Sequence, residues 1–336
     1  MRSMLGLEYG YLVKELQELV GKRFSKIAKT KSGYKMKIGS ADLACRPGIK
    51  LYITKYIEDA EDADAFVEKA RKELKGKILK EIEQVNNDRI VVFNFDEMKL
   101  YFEMFAKGNL VLVKDGKTIS ALRYEQWKDR EIKTNKAYKP PAAPPQEIDG
   151  VISGNKIIVS LLTLPIGRLY VEELLARTEI DEKTPGVELS KDEIKKLKDT
   201  LGKMKKEFKP YLFYEDGKPV DFGLLNFKKY VDYEAKEIKT LSEAADEFYF
   251  NEPKIEKKPG MEKLERRLEK QEEYLETMKQ NEKELKEKGD FIYAHYQEIE
   301  EILETAQNSS LDEIERKLSK YNAKLNKKEK RIEIEI

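Results

Sequence analysis

Two residues at the start of an apolar run offer the sharpest chemistry in this sequence. In "NNDRIVVFNF", residues 86–95, Asp88 and Arg89 stand between an Asn-rich turn and the apolar residues of a predicted buried strand. Arginine presents a rigid fork of donors that suits a phosphate or a base edge, and aspartate can orient that fork. The pair is therefore a candidate for ligand binding. A salt bridge that only stabilises the beginning of the strand is the alternative.

A run of basic residues without an acid is the second candidate. The chain as a whole carries 65 Lys and Arg against 64 Asp and Glu, which excludes a uniformly basic protein that coats nucleic acid. The local run can still contact phosphates, and its first four members are the predicted contacts: Lys22, Arg23, Lys26 and Lys29. The remaining members are Lys31, Lys35 and Lys37.

The residue inventory excludes several classes of enzyme. Cys45 and His295 are the only residues of their types, so a metal site built on Cys and His and a Cys–His or Ser–His nucleophile are not expected. The sequence has no phosphate-loop or dinucleotide-binding motif, and we expect no cofactor. A single cysteine and the lack of an apolar run near 18 residues predict a soluble protein of the cytoplasm, without a membrane partner.

The elements that must position these residues are short strands and a few helices. "GYLVKELQELVGKR" predicts a helix with Leu12, Leu16 and Leu19 on one face, and "DADAFVEKARKELKG" predicts a capped helix that ends at Gly76. Between and after them lie apolar runs at hairpin spacing, and Asp115–Gly116 marks a hairpin turn. The pattern predicts an α+β domain with a mixed or antiparallel sheet.

A proline-rich stretch and a helical hairpin follow. "YKPPAAPPQE", residues 138–147, gives an extended path and marks a domain boundary. "NKIIVSLLTLPIGRLYVEELLARTEI" then predicts two helices around a tight turn at Pro165–Gly167, which is helix-hairpin-helix spacing. Such a turn can bring backbone N–H groups and Arg168 to a phosphate. An ordinary helical hairpin without a ligand is the alternative.

A heptad pattern begins at Met261. Apolar residues recur at alternate steps of three and four up to Leu303, with interruptions at Gln271, Glu282 and Gly289. At about 1.5 Å per residue, a helix over this stretch would be about 60 Å long. The pattern predicts a coiled-coil arm that extends to a distant partner or mediates assembly.

Several segments together resemble the NFACT family of ribosome quality-control factors. They occur in family order along the whole chain: "YLVKELQELVGKRFSKI", "VNNDRIVVFNF", "YFEMFAKGNLVLVKDGKTISALR", "AYKPP", "LPIGRLYVEELLARTEID", "KTLSEAADEFYF" and "KGDFIYAHYQEIEEIL". The resemblance implies four parts. Residues 1–147 form an N-terminal domain similar to that of formamidopyrimidine-DNA glycosylases, 148–255 a helical helix-hairpin-helix domain, 256–325 a coiled-coil arm and 326–336 a terminal strand.

The resemblance also implies a function. Members of the family bind a large ribosomal subunit stalled with peptidyl-tRNA, and they recruit charged tRNA so that the nascent chain gains an untemplated C-terminal tail. The ribosome itself makes the peptide bond, so no catalytic residue is expected. Asp88 and Arg89 match the family's tRNA-contacting pair. Glu8 stands where the family usually has an Asp in its opening helix, and it is the third predicted tRNA contact.

The C-terminal segment predicts a partner. Ile332, Ile334 and Ile336 alternate with Glu in "KRIEIEI", as in a half-buried strand that needs a neighbour. The family resemblance implies that a second coiled-coil arm and an RNA-binding domain, NFACT-R, should follow. We therefore expect a separate chain to supply them. An antiparallel homodimer through the heptad seam and an experimentally shortened chain are the alternatives.

Two other classes of function compete with this interpretation. A glycosylase of the formamidopyrimidine type needs an N-terminal proline amine, but this sequence begins Met1-Arg2-Ser3. A coiled-coil adaptor that docks on the ribosome or another protein without tailing needs no tRNA site. The identity of any RNA bound to the protein in a lysate separates the three.

Overall fold

The computed structural model describes residues 2–56, 58–127 and 129–251, then residues 278, 282, 285–286, 289–308, 314, 323–326 and 331–334. Met1–Pro253 form one compact unit and Lys254–Ile336 form a second. The finer division into four parts, with a boundary at 147, stays a prediction.

Helix α1 and an antiparallel meander open the first unit. Helix α1 covers Gly6–Leu16, and it buries Leu12 and Leu16 as its apolar spacing predicts. The first sheet has the order β1-β2-β3-β4, because each strand turns directly into the next one. Its strands are β1 (Phe24–Thr30), β2 (Gly33–Ile38), β3 (Ala41–Arg46) and β4 (Lys50–Thr54).

A second meander contains the predicted strand after Arg89. Helix α2 (Ala65–Leu74) begins where the Asp64 carboxylate accepts from the Val67 N–H at 2.9 Å. The second sheet has the order β5-β6-β7-β8-β9. Its strands are β5 (Glu81–Gln84), β6 (Ile90–Phe95), β7 (Met98–Glu103), β8 (Asn109–Lys114) and β9 (Lys117–Ala121). A two-stranded hairpin follows, formed by β10 (Glu125–Gln126) and β11 (Glu131–Ile132).

Local turn chemistry and one apolar core explain this part of the fold. Asp115 and Gly116 both have positive φ, 47° and 76°, which confirms the predicted hairpin turn. The rings of Phe24, on the first sheet, and Phe95, on the second, meet edge to face at 5.8 Å. Both rings are buried, so the two sheets share a core. The structure confirms the predicted mixture of antiparallel strands with a few helices.

The part after the proline-rich stretch is not wholly helical, which corrects one expectation. Helices α3 (Ile157–Leu161), α4 (Arg168–Thr178) and α5 (Lys191–Lys206) come first. A three-stranded antiparallel sheet of order β13-β12-β14 follows, and helix α6 (Leu241–Asn251) closes the unit. The strands are β12 (Tyr211–Glu215), β13 (Lys218–Gly223) and β14 (Glu234–Glu237). Asp216 and Gly217, both with positive φ, form the turn between the first two strands.

The described part of the second unit contains helical residues and one hairpin. Residues 289–294 are helical and helix α7 covers Tyr296–Asn308, whereas the predicted heptad positions from Met261 to Leu275 lie outside the described residues. The coiled-coil arm stays a prediction. Strand β16 (Arg331–Ile334) pairs with β15 (Ala323–Asn326), and Ile332 lies opposite Leu325. The terminal strand thus has a neighbour within its own chain, which corrects the expectation that another chain must provide one. A second arm on a separate chain stays a prediction.

Across the described residues, none of the helices combines the length and the apolar composition that a membrane span requires.

Candidate functional site

Asp88 and Arg89 follow a turn that is held against helix α1. Strand β5 ends at Gln84, and Asn86 and Asn87 then adopt positive φ values of 54° and 53°, which asparagine tolerates. The Gln84 side-chain amide donates to the Asp88 carbonyl oxygen at 2.9 Å and to the Gly6 carbonyl oxygen at 2.8 Å. One side chain therefore fixes both the turn and the first residue of α1.

The Asp88 carboxylate and the Arg89 guanidinium are not paired with each other in an ion pair. Asp88 Oδ1 accepts from the Arg89 backbone N–H at 2.7 Å, and the Arg89 carbonyl oxygen accepts from the Met104 N–H at 2.7 Å. Both residues are half-buried. Among the described residues, no carboxylate forms an ion pair with Arg89. Its forked donors are therefore available to a ligand.

Three segments that are distant in sequence meet at the start of α1. A Cβ atom on Gly6 would lie 1.9 Å from the Pro165 carbonyl oxygen and 3.3 Å from the Asn87 carbonyl oxygen, so only glycine fits between them. Gly167, at φ 93°, packs against Leu5, because a Cβ there would be 2.8 Å from the Leu5 Cβ. The turn before Asp88, the start of α1 and the turn between α3 and α4 therefore form one surface.

Arg168 is the first residue of helix α4, directly after the turn that contacts the start of α1. Gly167 precedes it as the residue that caps the helix, and its carbonyl oxygen accepts from the N–H groups of Tyr170 and Val171 at 3.1 Å. The Arg168 side chain is exposed and pairs with Glu172 at 2.7 Å, one turn further along the helix. Helices α3 and α4 lie on either side of the turn, and the helix-hairpin-helix motif stays a prediction. Phosphate binding by Arg168 stays a prediction.

Glu8 lies inside the protein, below this surface. Its side chain has no exposed area, and Oε2 accepts from the Leu5 N–H at 2.8 Å and from Arg2 Nη1 at 3.1 Å. Oε1 accepts from the Tyr170 hydroxyl at 3.2 Å and also contacts Arg2. Every oxygen of the carboxylate therefore has a donor from the protein. Direct contact between Glu8 and tRNA stays a prediction.

Arg2 joins Glu8 to the last part of the first unit. The guanidinium also forms an ion pair with Asp221, donates to the Phe222 carbonyl oxygen at 2.9 Å and lies 3.9 Å from the centre of the Phe222 ring. Its side chain is 15% exposed, so these partners replace almost all of its water. Arg2, Glu8 and Asp221, which we call the buried charge triad, connect α1 to β13.

The basic run begins at the other end of strand β5. Lys22, Arg23 and Lys26 are exposed, Lys29 is half-buried, and Arg23 Nη1 donates to the Gly76 carbonyl oxygen at 2.9 Å. The backbone at Lys22 pairs with Leu79, which precedes β5, whereas Asp88 follows β5. A strand of this length rises roughly 10 Å, so the structure does not bring the run and the Asp88–Arg89 pair together.

Comparison with known proteins identifies the family. A family model described as NFACT N-terminal and middle domains matches residues 9–336. The chain belongs to the NFACT family. The archaeal Rqc2 homolog aRqcH of Methanocaldococcus jannaschii is 33% identical over 337 residues, which cover 87% of this chain and 50% of that protein. The chain thus spans about half the length of this relative.

Two further proteins extend the comparison. Ribosome quality control complex subunit 2 of Saccharomyces cerevisiae is 32% identical over 123 residues, which cover 33% of this NFACT chain and 12% of the yeast protein. The crystal structure of the fibrinogen binding protein from Staphylococcus aureus aligns with a TM-score of 0.59 and 21% identity, and it covers 73% of this chain and 98% of that one. The latter shows a shared fold. The predicted likeness to a glycosylase N-terminal domain stays a prediction.

Sequence reasoning missed three residues that build the site of this NFACT protein. No local sequence pattern predicts the contacts of Gln84 and Arg2, because their partners lie far along the chain. Gly6 did leave a signal. A glycine within a helical pattern often marks a close backbone approach, and here it faces Pro165. Within the described residues, no group of acidic, histidine or cysteine side chains is arranged to hold a metal ion.

Proposed function

We propose that this chain is a ribosome quality-control factor. It binds a large ribosomal subunit that still holds peptidyl-tRNA, and it recruits charged tRNA so that the nascent chain gains an untemplated C-terminal tail. The match over 87% of the chain to an archaeal relative named as an Rqc2 homolog carries this proposal. On this view the ribosome forms the peptide bond, and the chain supplies binding surfaces rather than a catalytic site.

The surface around Arg89 is suited to the tRNA. A guanidinium without a protein carboxylate as partner can bind a phosphate or a base edge in a forked geometry. Gln84 and the close contact at Gly6 hold its backbone in place, so little conformational entropy is lost on binding. The adjacent turn before Arg168 adds N–H groups at a helix start, where phosphate is favoured.

The first experiment recovers the tagged chain from a lysate of cells that express it and sequences the bound RNA. Large-subunit rRNA together with tRNA supports the proposal. Recovery of ribosomes without tRNA favours the second candidate, an adaptor that docks on the ribosome without tailing. The complete burial of Glu8 favours that candidate, because both oxygens of its carboxylate already accept from protein donors.

Arg89→Ala should weaken tRNA binding by about 1–3 kcal/mol, because the substitution removes a charged, forked donor. The midpoint of thermal unfolding should stay near that of the wild type, since the side chain has no ion pair among the described residues. Filter binding with unmodified tRNA measures the first quantity and circular dichroism the second. A sharp drop in the unfolding midpoint with normal tRNA binding would show that Arg89 is structural.

Removal of charge from the basic run should change the salt dependence of RNA binding. With Lys22, Arg23 and Lys26 replaced by glutamine, the slope of log K against log salt should fall by roughly one for each lost phosphate contact. Titrations with tRNA at several NaCl concentrations measure this slope. The matched control replaces three exposed lysines of helix α5, Lys195, Lys203 and Lys206, with glutamine, and it removes the same charge. Equal slopes for the two triple variants would contradict a specific role for the run.

A further inference from the structure

The hairpin β10–β11 presents the single tryptophan of the chain to solvent. Trp127 is 42% exposed, and its backbone N–H donates to the Arg130 carbonyl oxygen at 2.8 Å, which closes the turn. Ile132, on the paired strand, is buried in a small apolar cluster with Val111 and Val113. The hairpin is therefore anchored to the second sheet at one end and carries an exposed indole ring at the other.

A buried ion pair fixes the inner face of this ring. The Arg130 guanidinium lies 4.5 Å from the centre of the Trp127 ring, close enough for a cation–π contact. Arg130 Nη2 donates to both oxygens of Glu103 at 2.7 and 2.9 Å, and the Tyr138 hydroxyl donates to the same carboxylate at 2.8 Å. The side chains of Arg130 and Glu103 are only 9% and 2% exposed. The indole is thus held on a rigid support.

One donor of this support lacks a partner. Arg130 Nη1 is buried and makes no hydrogen bond among the described residues, which costs the desolvation energy of a charged donor.

The charges around the hairpin select the class of ligand. Residues 123–139 contain six basic residues and three acidic ones. Arg123, Lys133 and Lys136 are all exposed. A basic surface with an exposed aromatic ring is the arrangement that binds single-stranded nucleic acid, since the ring stacks on a base and the cations follow the phosphates. The same excess of positive charge disfavours a basic peptide.

We propose that Trp127 is a stacking platform for an unpaired base of RNA. This inference rests on the proposed function, because it gives the RNA a contact separate from Asp88, Arg89 and the basic run. The ring is supported from below by Arg130 and Glu103, and Lys133 and Lys136 contact the neighbouring phosphates. Nucleotides in a loop or a single strand fit the platform, whereas bases inside a duplex do not expose their faces.

The experiment uses Trp127 as its own reporter, since the chain has no second tryptophan. The full chain is titrated with a 12-nucleotide oligouridylate and, in parallel, with unmodified tRNA. Stacking should quench the tryptophan fluorescence with the same midpoint that fluorescence anisotropy of the labelled RNA reports. Binding without any change in the fluorescence would overturn the platform.

Two substitutions of similar size complete the test. Trp127→Phe keeps an aromatic ring, and Trp127→Leu keeps apolar bulk without one, so both should preserve the hairpin. The leucine variant should bind the oligouridylate roughly 5- to 150-fold more weakly, the range for loss of one stacked base, and the phenylalanine variant should lose much less. If the two variants bind the oligouridylate equally well, the stacking platform is wrong, and the proposed function is unaffected. Absence of RNA binding by the wild type overturns the platform together with the proposed function.

Discussion

The Glu8→Ala protein should lose about 3–5 kcal/mol of unfolding free energy, because the substitution removes one partner of a buried guanidinium. Arg2 would keep Asp221 but lose the contact that Glu8 provides to both of its terminal nitrogens. The Leu5 N–H and the Tyr170 hydroxyl would each lose an acceptor in the same step. The triad stabilises the fold only while it is complete, since its three charged groups have lost most of their contact with water.

Urea denaturation followed by circular dichroism measures this loss. The urea concentration at the midpoint of unfolding should fall, while the slope of unfolding free energy against urea concentration should not change. Glu243→Ala is the matched control, because it deletes an acid from an exposed ion pair with Lys55 and should change the midpoint little. Glu8→Asp keeps the charge on a shorter side chain. If Glu8 fills the acidic position of the family, that variant keeps tRNA binding even where it loses stability. A wild-type midpoint for Glu8→Ala would contradict the burial of the triad.

Gly6→Ala should destabilise the protein by about 3 kcal/mol and also abolish tRNA binding. The new methyl group would overlap the Pro165 carbonyl oxygen, which is backbone and cannot rotate away as a side chain would. Helix α1 must then separate from the turn before α4, and the surface around Arg89 loses one of its three segments. Stability and binding should therefore fall together, in contrast to Arg89→Ala, which affects binding alone.

Thermal unfolding and tRNA titration of the same preparation measure the two effects. Gly202→Ala is the control, since its added methyl group meets no atom within 4 Å in helix α5. This variant should gain up to about 1 kcal/mol of stability from helix propensity and bind tRNA normally. If Gly6→Ala behaves like Gly202→Ala, the three segments do not meet as closely in solution as they do here.

Elements specified by neighbouring residues could be predicted from the sequence. The cap at Asp64, the turn at Asp115–Gly116 and the strand after Arg89 each depend on a few adjacent side chains, and all three are present. The β12–β13 hairpin has the same kind of signal in its Asp216–Gly217 turn. It was missed because it lies between helices, where a helical domain was expected.

The candidate site could be predicted only in part. Asp88 and Arg89 are recognisable from residue type and position, and the structure holds them on a fixed turn. The buried charge triad and the contact of Gly6 with Pro165 were not predictable, because they join residues far apart in sequence. Arg2 and Phe222, for example, are 220 residues apart. Such pairings depend on the packing of the entire unit, which no local pattern specifies.

The contacts of Arg2 also set the order in which the protein can be assembled during its own synthesis. The Arg2 carbonyl oxygen accepts from the Tyr249 hydroxyl at 2.9 Å, across 247 residues of sequence. Chains grow at about 5–20 residues per second, so the second residue waits roughly 12–50 s for this partner. The two meanders can pair their strands during that interval. The contact between the residues that precede α1 and helix α6 is therefore completed last, after α6 has left the ribosome.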